Sequence, residues 1–157
     1  MLGALEEAGS RGARTALVCC SPPVWESRQD ACATIGTVIC VETGPEVVAG
    51  STRLKSGTAT KMVLNMISTC GMARAGYVFA GFMVGVKPVN AKLLGRAARV
   101  ISALTGESEE VSRRLLREAD NRIAVAVLMA RKGLGVDEAR RVLEDSGGSL
   151  RAALEAV

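Results

Sequence analysis

Two short, continuous apolar runs set the frame for this chain. Thr15 to Ser21 (TALVCCS) and Thr37 to Glu42 (TVICVE) lie about sixteen residues apart, and neither alternates polar with apolar residues. A strand covered by helices on both faces of a parallel sheet reads in this way. Parallel neighbours need a crossover between them, and the intervening segment is long enough for a helical or irregular one. Before the first run, Leu2, Leu5 and Ala8 mark the last turns of an amphipathic helix, closed by Gly9 to Gly12; after it, Pro22-Pro23 ends the strand. Helix, strand, crossover, strand is the order of a doubly wound α/β sheet, so an α/β fold with two adjacent parallel strands is expected.

Downstream, Gly50-Ser51-Thr52 opens a helical pattern that continues to about Ala73. Leu54, Met62, Leu64, Met66, Ile67 and Met72 are its expected buried residues, and Ser51 or Thr52 its expected cap. The glycine-rich stretch from Gly76 to Val86 (GYVFAGFMVGV) reads as extended chain covering the sheet. From Asn90 onward the pattern is helical throughout, with caps at Asn90 and Ser108 and breaks near Gly106, Gly133 to Gly135 and Gly147-Gly148. This tail carries a weak repeat at an offset of 27 residues, in which EVSRRLL (110–116) matches DEARRVL (137–143) and IAVA (123–126) matches LRAA (150–153). Two helical hairpins that pack into a small bundle satisfy such a pattern.

Composition then removes function classes. The net charge of +4 comes from 20 basic and 16 acidic residues that are interspersed, so no basic stripe is available to track a phosphate backbone. The only four aromatics are Trp25, Tyr77, Phe79 and Phe82, too few for a platform that stacks bases. Histidine is absent, which excludes His-based triads and disfavours zinc; acid or base chemistry must come from carboxylates, Lys, Tyr or Cys. No metal and no cofactor is expected. Five cysteines, without CxxC spacing and mostly inside apolar runs, suit a reducing, cytoplasmic compartment. The first residues lack the apolar stretch of a secretory signal, and no run of 18 apolar residues suggests a membrane span.

Chemistry is concentrated in TGPEVVAGSTRLKSGTATKMVLN (43–65), which leaves a predicted strand at its carboxyl end and enters a helix. Open α/β sheets bind ligands there, and a helix start presents free N–H groups to anions. Ser51 and Thr52 offer hydroxyls, Arg53 and Lys55 offer charge for a phosphate, and Glu46 offers an acceptor for sugar hydroxyls, or a base if its pKa is raised. On the residues alone a plainer reading stands beside this one: a helix cap with solvated charges nearby.

The segment GPEVVAGSTRLKSGTATKMVLNMIST strongly resembles the signature of the N-acetylmuramic acid 6-phosphate etherase family. The same family is matched by ARTALVCCSPP before it and by MVGVKPVNAKL, LTGESEE and GLGVDEARRVLEDSGGSLRAAL after it. The resemblance covers essentially the whole chain and implies the C-terminal half of a sugar isomerase (SIS) domain over 1–89, then a helical domain over 90–157 similar to ubiquitin-associated three-helix bundles. It further implies a lyase that cleaves the D-lactyl ether of a sugar phosphate in cell-wall sugar recycling, working as a homodimer. Glu46, Ser51, Thr52, Arg53 and Lys55 would position the substrate, and the two catalytic glutamates would lie in an N-terminal half upstream of Met1. None of the catalytic residues is therefore expected within this chain. Three positions depart from the pattern: Pro22 stands where the family has Asn, and Gly81 and Gly85 stand where it has Asn and Asp. The alternative readings are a non-catalytic sugar-phosphate-binding or regulatory module, as in the related glucokinase regulatory protein, or a nonfunctional fragment.

Overall fold

The computed structural model describes residues 2–22 and 36–156. Pro23, Trp25, Cys32 and the crossover expected between the two apolar runs lie outside the described residues. The chain divides into two compact units, residues 1–68 and 69–157.

In the first unit, helix α1 (Leu2–Ser10) precedes strand β1 (Ala16–Cys19), which pairs with strand β2 (Thr37–Cys40). The pairing is parallel, as the two runs predict, with Ala16 opposite Thr37, Leu17 opposite Val38, Val18 opposite Ile39 and Cys19 opposite Cys40. Alternation along the strands puts Leu17, Cys19, Val38 and Cys40 on one face. The opposite face looks toward helix α2 (Lys55–Arg74), since the Cys20 thiol donates to the Ser56 carbonyl at 3.4 Å. Burial on both faces is not what the strands show. Val38 is 44% exposed, and no residue of either strand is fully buried.

The same correction applies to α2. Leu54, Met62, Leu64, Met66, Ile67 and Met72 are each at least half exposed, and Val63 is the helix's one fully buried residue. Its apolar positions spread around much of its circumference, so contact on a single side leaves most of them uncovered. The helix also starts later than its sequence pattern suggests, at Lys55 instead of the Gly50–Thr52 turn.

The second unit opens with a hairpin, β3 (Val78–Phe79) antiparallel to β4 (Phe82–Met83). Its two-residue turn, Ala80-Gly81, has positive φ at both positions (48° and 80°), the geometry that matches the twist of a tight hairpin. The stretch is extended as expected, and its apolar side chains Phe79, Phe82 and Val84 go into a helical core. At Gly85 the chain passes so close to Tyr77 that a Cβ would run into its ring.

Five helices follow: α3 (Ala91–Thr105), α4 (Glu109–Glu118), α5 (Ile123–Lys132), α6 (Val136–Asp145) and α7 (Leu150–Glu155). The expected caps are in place: Asn90 accepts from Leu93 N–H at 3.0 Å and Ser108 from Val111 N–H at 3.2 Å. The left-handed Gly106 and Gly133 end α3 and α5. Helix α5 is the centre, buried continuously from Ile123 to Leu128 and packed on α3, α4, α6 and α7. The 27-residue repeat is structural: α4 and α6 start at 109 and 136, and α5 and α7 at 123 and 150. Equivalent positions take equivalent roles, since Ile123 and Leu150, Ala126 and Ala153, and Ser112 and Ala139 are all buried.

Candidate functional site

The loop that leaves β2 continues the ladder for one step, with Val41 N–H donating to the Cys19 carbonyl at 2.8 Å, and then turns at Gly44 (φ 66°). Pro45 and Glu46 come next, and Glu46 does what Ser51 or Thr52 was expected to do. Its carboxylate receives Lys55 N–H at 3.0 Å and Ser56 N–H at 3.1 Å, one on each oxygen, and so caps α2 from nine residues upstream. A negative charge at a helix N-terminus also meets the positive end of the helix dipole. The donors that a phosphate would use at this helix start are thus taken by the protein's own carboxylate.

The consequence for Glu46 is electrostatic. The Lys55 and Ser56 backbone donors, in that order, hold its pKa below the ordinary value, with the Ser56 hydroxyl and the Lys55 charge adding to the effect. This removes the reading of Glu46 as a base with a raised pKa. What remains is an acceptor that is ionised at neutral pH.

The other predicted residues divide into two groups. Lys55 folds back, its ammonium donating to the Pro45 carbonyl at 3.0 Å, so it ties the loop to the helix start. Ser51 lies in the turn closed by its own N–H to the Val48 carbonyl at 3.0 Å, and its hydroxyl accepts from Arg53 N–H at 3.4 Å. The Thr52 and Arg53 side chains are exposed and have no hydrogen-bond partner among the described residues. Glu46, Lys55 and the α2 start are therefore brought together, while Thr52 and Arg53 are left open to solvent.

Three hydroxyl residues not singled out by sequence, Thr43, Ser56 and Thr60, belong to the same cluster. Thr43 and Ser56 share a hydroxyl–hydroxyl hydrogen bond at 3.2 Å, and the Cys20 thiol lies 3.4 Å from the Thr60 hydroxyl. The position of Ser56 directly beside Lys55 and of Thr43 after the strand end was the available signal. Among the described residues no three His, Cys, Asp or Glu side chains gather as metal ligands. A separate cleft of about 590 Å³ in the second unit is lined by Tyr77, Val84, Lys87, Arg122, Leu143 and Glu144 and includes none of the predicted residues.

By fold and loop geometry this is an α/β segment whose strand-end loop feeds a helix start, followed by a helical bundle. No protein-family model matches the chain. Curated relatives do: it is 44% identical over 98% of its length to the N-acetylmuramic acid 6-phosphate etherase of Pectobacterium atrosepticum. To the proteins of that name from Brucella anthropi and Mycolicibacterium smegmatis it is 41% identical, over 99% of its length in each case. The chain spans about half the length of these relatives (49%, 49% and 51%), and what it matches is their C-terminal part. No described helix is long and apolar enough to cross a membrane.

Proposed function

We propose that this chain supplies the C-terminal part of an N-acetylmuramic acid 6-phosphate etherase, a lyase that splits the sugar's D-lactyl ether in cytoplasmic cell-wall sugar recycling. The observation that carries this reading is the identity to curated etherases over nearly the whole chain, with the GPE and GSTRLK motifs on a loop at the carboxyl ends of two parallel strands.

In this reading residues 1–89 complete an SIS sheet, residues 90–157 form the ubiquitin-associated-like bundle, and the assembly is a homodimer. The reaction removes the proton next to the open-chain aldehyde, expels lactate and adds water to the unsaturated intermediate. Two carboxylates of an N-terminal half carry the proton transfers. The chain's own contribution is positional. Glu46 stays ionised and holds the loop, Lys55 pins the loop to the helix start, and Ser51, Thr52 and Arg53 remain available to the sugar phosphate.

Lactate release from N-acetylmuramic acid 6-phosphate tests this, with the purified chain alone and with a separately expressed N-terminal half of a related etherase. Release only in the mixture is the expected result. Release by the chain alone overturns the assignment of the carboxylates to the other half, and silence in both overturns the etherase reading. An Arg53→Ala chain in the active mixture raises KM for the phosphorylated sugar by about tenfold or more, as loss of a charge-assisted contact requires.

A further inference from the structure

Cys19 and Cys40 are partners in register at the carboxyl ends of β1 and β2. In-register residues of neighbouring parallel strands have Cα atoms about 4.8 Å apart, inside the range of roughly 4.4 to 6.8 Å that a disulfide spans. Their side chains share the face turned away from α2. Both are reduced, Cys40 is exposed and Cys19 half-buried. Cys20 is no competitor, because it points to the opposite face and its thiol is engaged by Ser56 and Thr60.

We propose that Cys19 and Cys40 are a reversibly oxidisable thiol pair that closes a cross-strand disulfide by exchange with a low-molecular-weight disulfide. Desolvation first, and then the neighbouring Cys19, raise the pKa of the Cys40 thiol. With Cys19 as the first nucleophile, its proton passes to solvent, and its sulfur attacks one sulfur of the small disulfide and expels one small thiolate, leaving a mixed disulfide. Cys40 gives its proton to that thiolate and attacks the Cys19 sulfur, and the second small thiolate leaves and takes back from solvent the proton that Cys19 released. One small disulfide is reduced to two thiols while the two protein thiols are oxidised. Neighbouring parallel strands hold their Cβ atoms farther apart than a relaxed disulfide prefers, so the bond forms under tension and is readily reduced. It is a switch more than a staple, and it closes one residue before the loop that carries Glu46.

The test incubates the native full chain with oxidised glutathione, blocks the remaining thiols and measures mass. The expected product carries no blocking group and no glutathione on Cys19 or Cys40, weighs two hydrogens less than the reduced chain blocked only at its other thiols, and regains those two hydrogens with dithiothreitol. Tryptic peptides 15–28 and 29–53 are then joined, with fragmentation placing the bond on Cys19 and Cys40. A Cys20→Ser/Cys32→Ser/Cys70→Ser chain forms the same bond, whereas Cys40→Ser stops at a glutathione adduct on Cys19. Separate glutathione adducts on Cys19 and Cys40 of the native chain, or a bond through Cys20 or Cys32, overturn the proposal. The readout is mass and not turnover, so its failure is distinct from failure of the etherase reading.

Discussion

The two units use similar amounts of apolar sequence with opposite results. In residues 69–157 a helix buried on all sides, α5, is enclosed by four others, with Ile101, Leu116, Leu128 and Leu150 almost completely removed from solvent. In residues 1–68 Val63 is the only fully buried apolar side chain among the described residues, and Val38, Met62, Leu64, Met66 and Ile67 are exposed. Apolar content alone therefore does not make a core. Helices joined by short turns bury one another with local contacts, whereas strands of a parallel sheet are buried only by elements on both faces. Among its described residues the first unit has the side chains of an interior position without enough neighbours to make it one.

Hydrogen exchange breaks or sustains this contrast most directly. Amides of α5 exchange only through global unfolding of their unit, and those of β1 and β2 exchange orders of magnitude faster through local opening. Equal protection in the two regions would mean that the exposed face of β1 and β2 is covered in solution. Substitution gives the next largest effect. Ile101→Ala or Leu128→Ala lowers stability by about 3 kcal/mol, as a buried aliphatic truncation does. Met66→Ala, on the exposed side of α2, changes it by less than about 0.5 kcal/mol. Both are read from denaturant midpoints at constant m. With an N-terminal half bound, Met66→Ala becomes costly if that half covers α2, and stays neutral if it does not. A smaller effect is expected at Asn90, whose cap on α3 is worth about 1 kcal/mol on replacement by Ala.

What was legible in the sequence followed the same division. Residues 90–157 could be read closely, because caps, left-handed glycines and helical periodicity are local signals, and the 27-residue offset carried through to matching helix starts. The strand pairing was legible too, from two apolar runs at crossover spacing. Burial of those strands and of α2 was not, since it depends on which elements lie against them. The cap on α2 was missed for a related reason. Ser51 and Thr52 stand where a local cap would, but Glu46 reaches the helix start through a loop turned at Gly44, and no local pattern announces a carboxylate nine residues away. The hairpin at 78–83 shows the limit of short apolar runs: its extended form was readable, its packing partner was not.

The Glu46 cap yields the smallest effect and the most specific one. Its folded-state pKa is depressed by the Lys55 and Ser56 N–H groups. A depressed carboxylate stabilises the fold above its unfolded pKa, and that contribution disappears as pH falls through the folded value. The loop from Thr43 to Lys55 should hence be tied to α2 at neutral pH and released only below the ordinary range of a free carboxylate. Glu46→Gln keeps one acceptor oxygen but no charge, so it weakens the cap at all pH values and removes the acid-dependent step. Following Lys55 and Ser56 amide protons by NMR during an acid titration checks both claims. A Lys55 amide that shifts with an undepressed midpoint, or titrates identically in Glu46→Gln, would show that the carboxylate does not hold the helix start, and the contrast between an anchored loop and an open Thr52–Arg53 segment would fail with it.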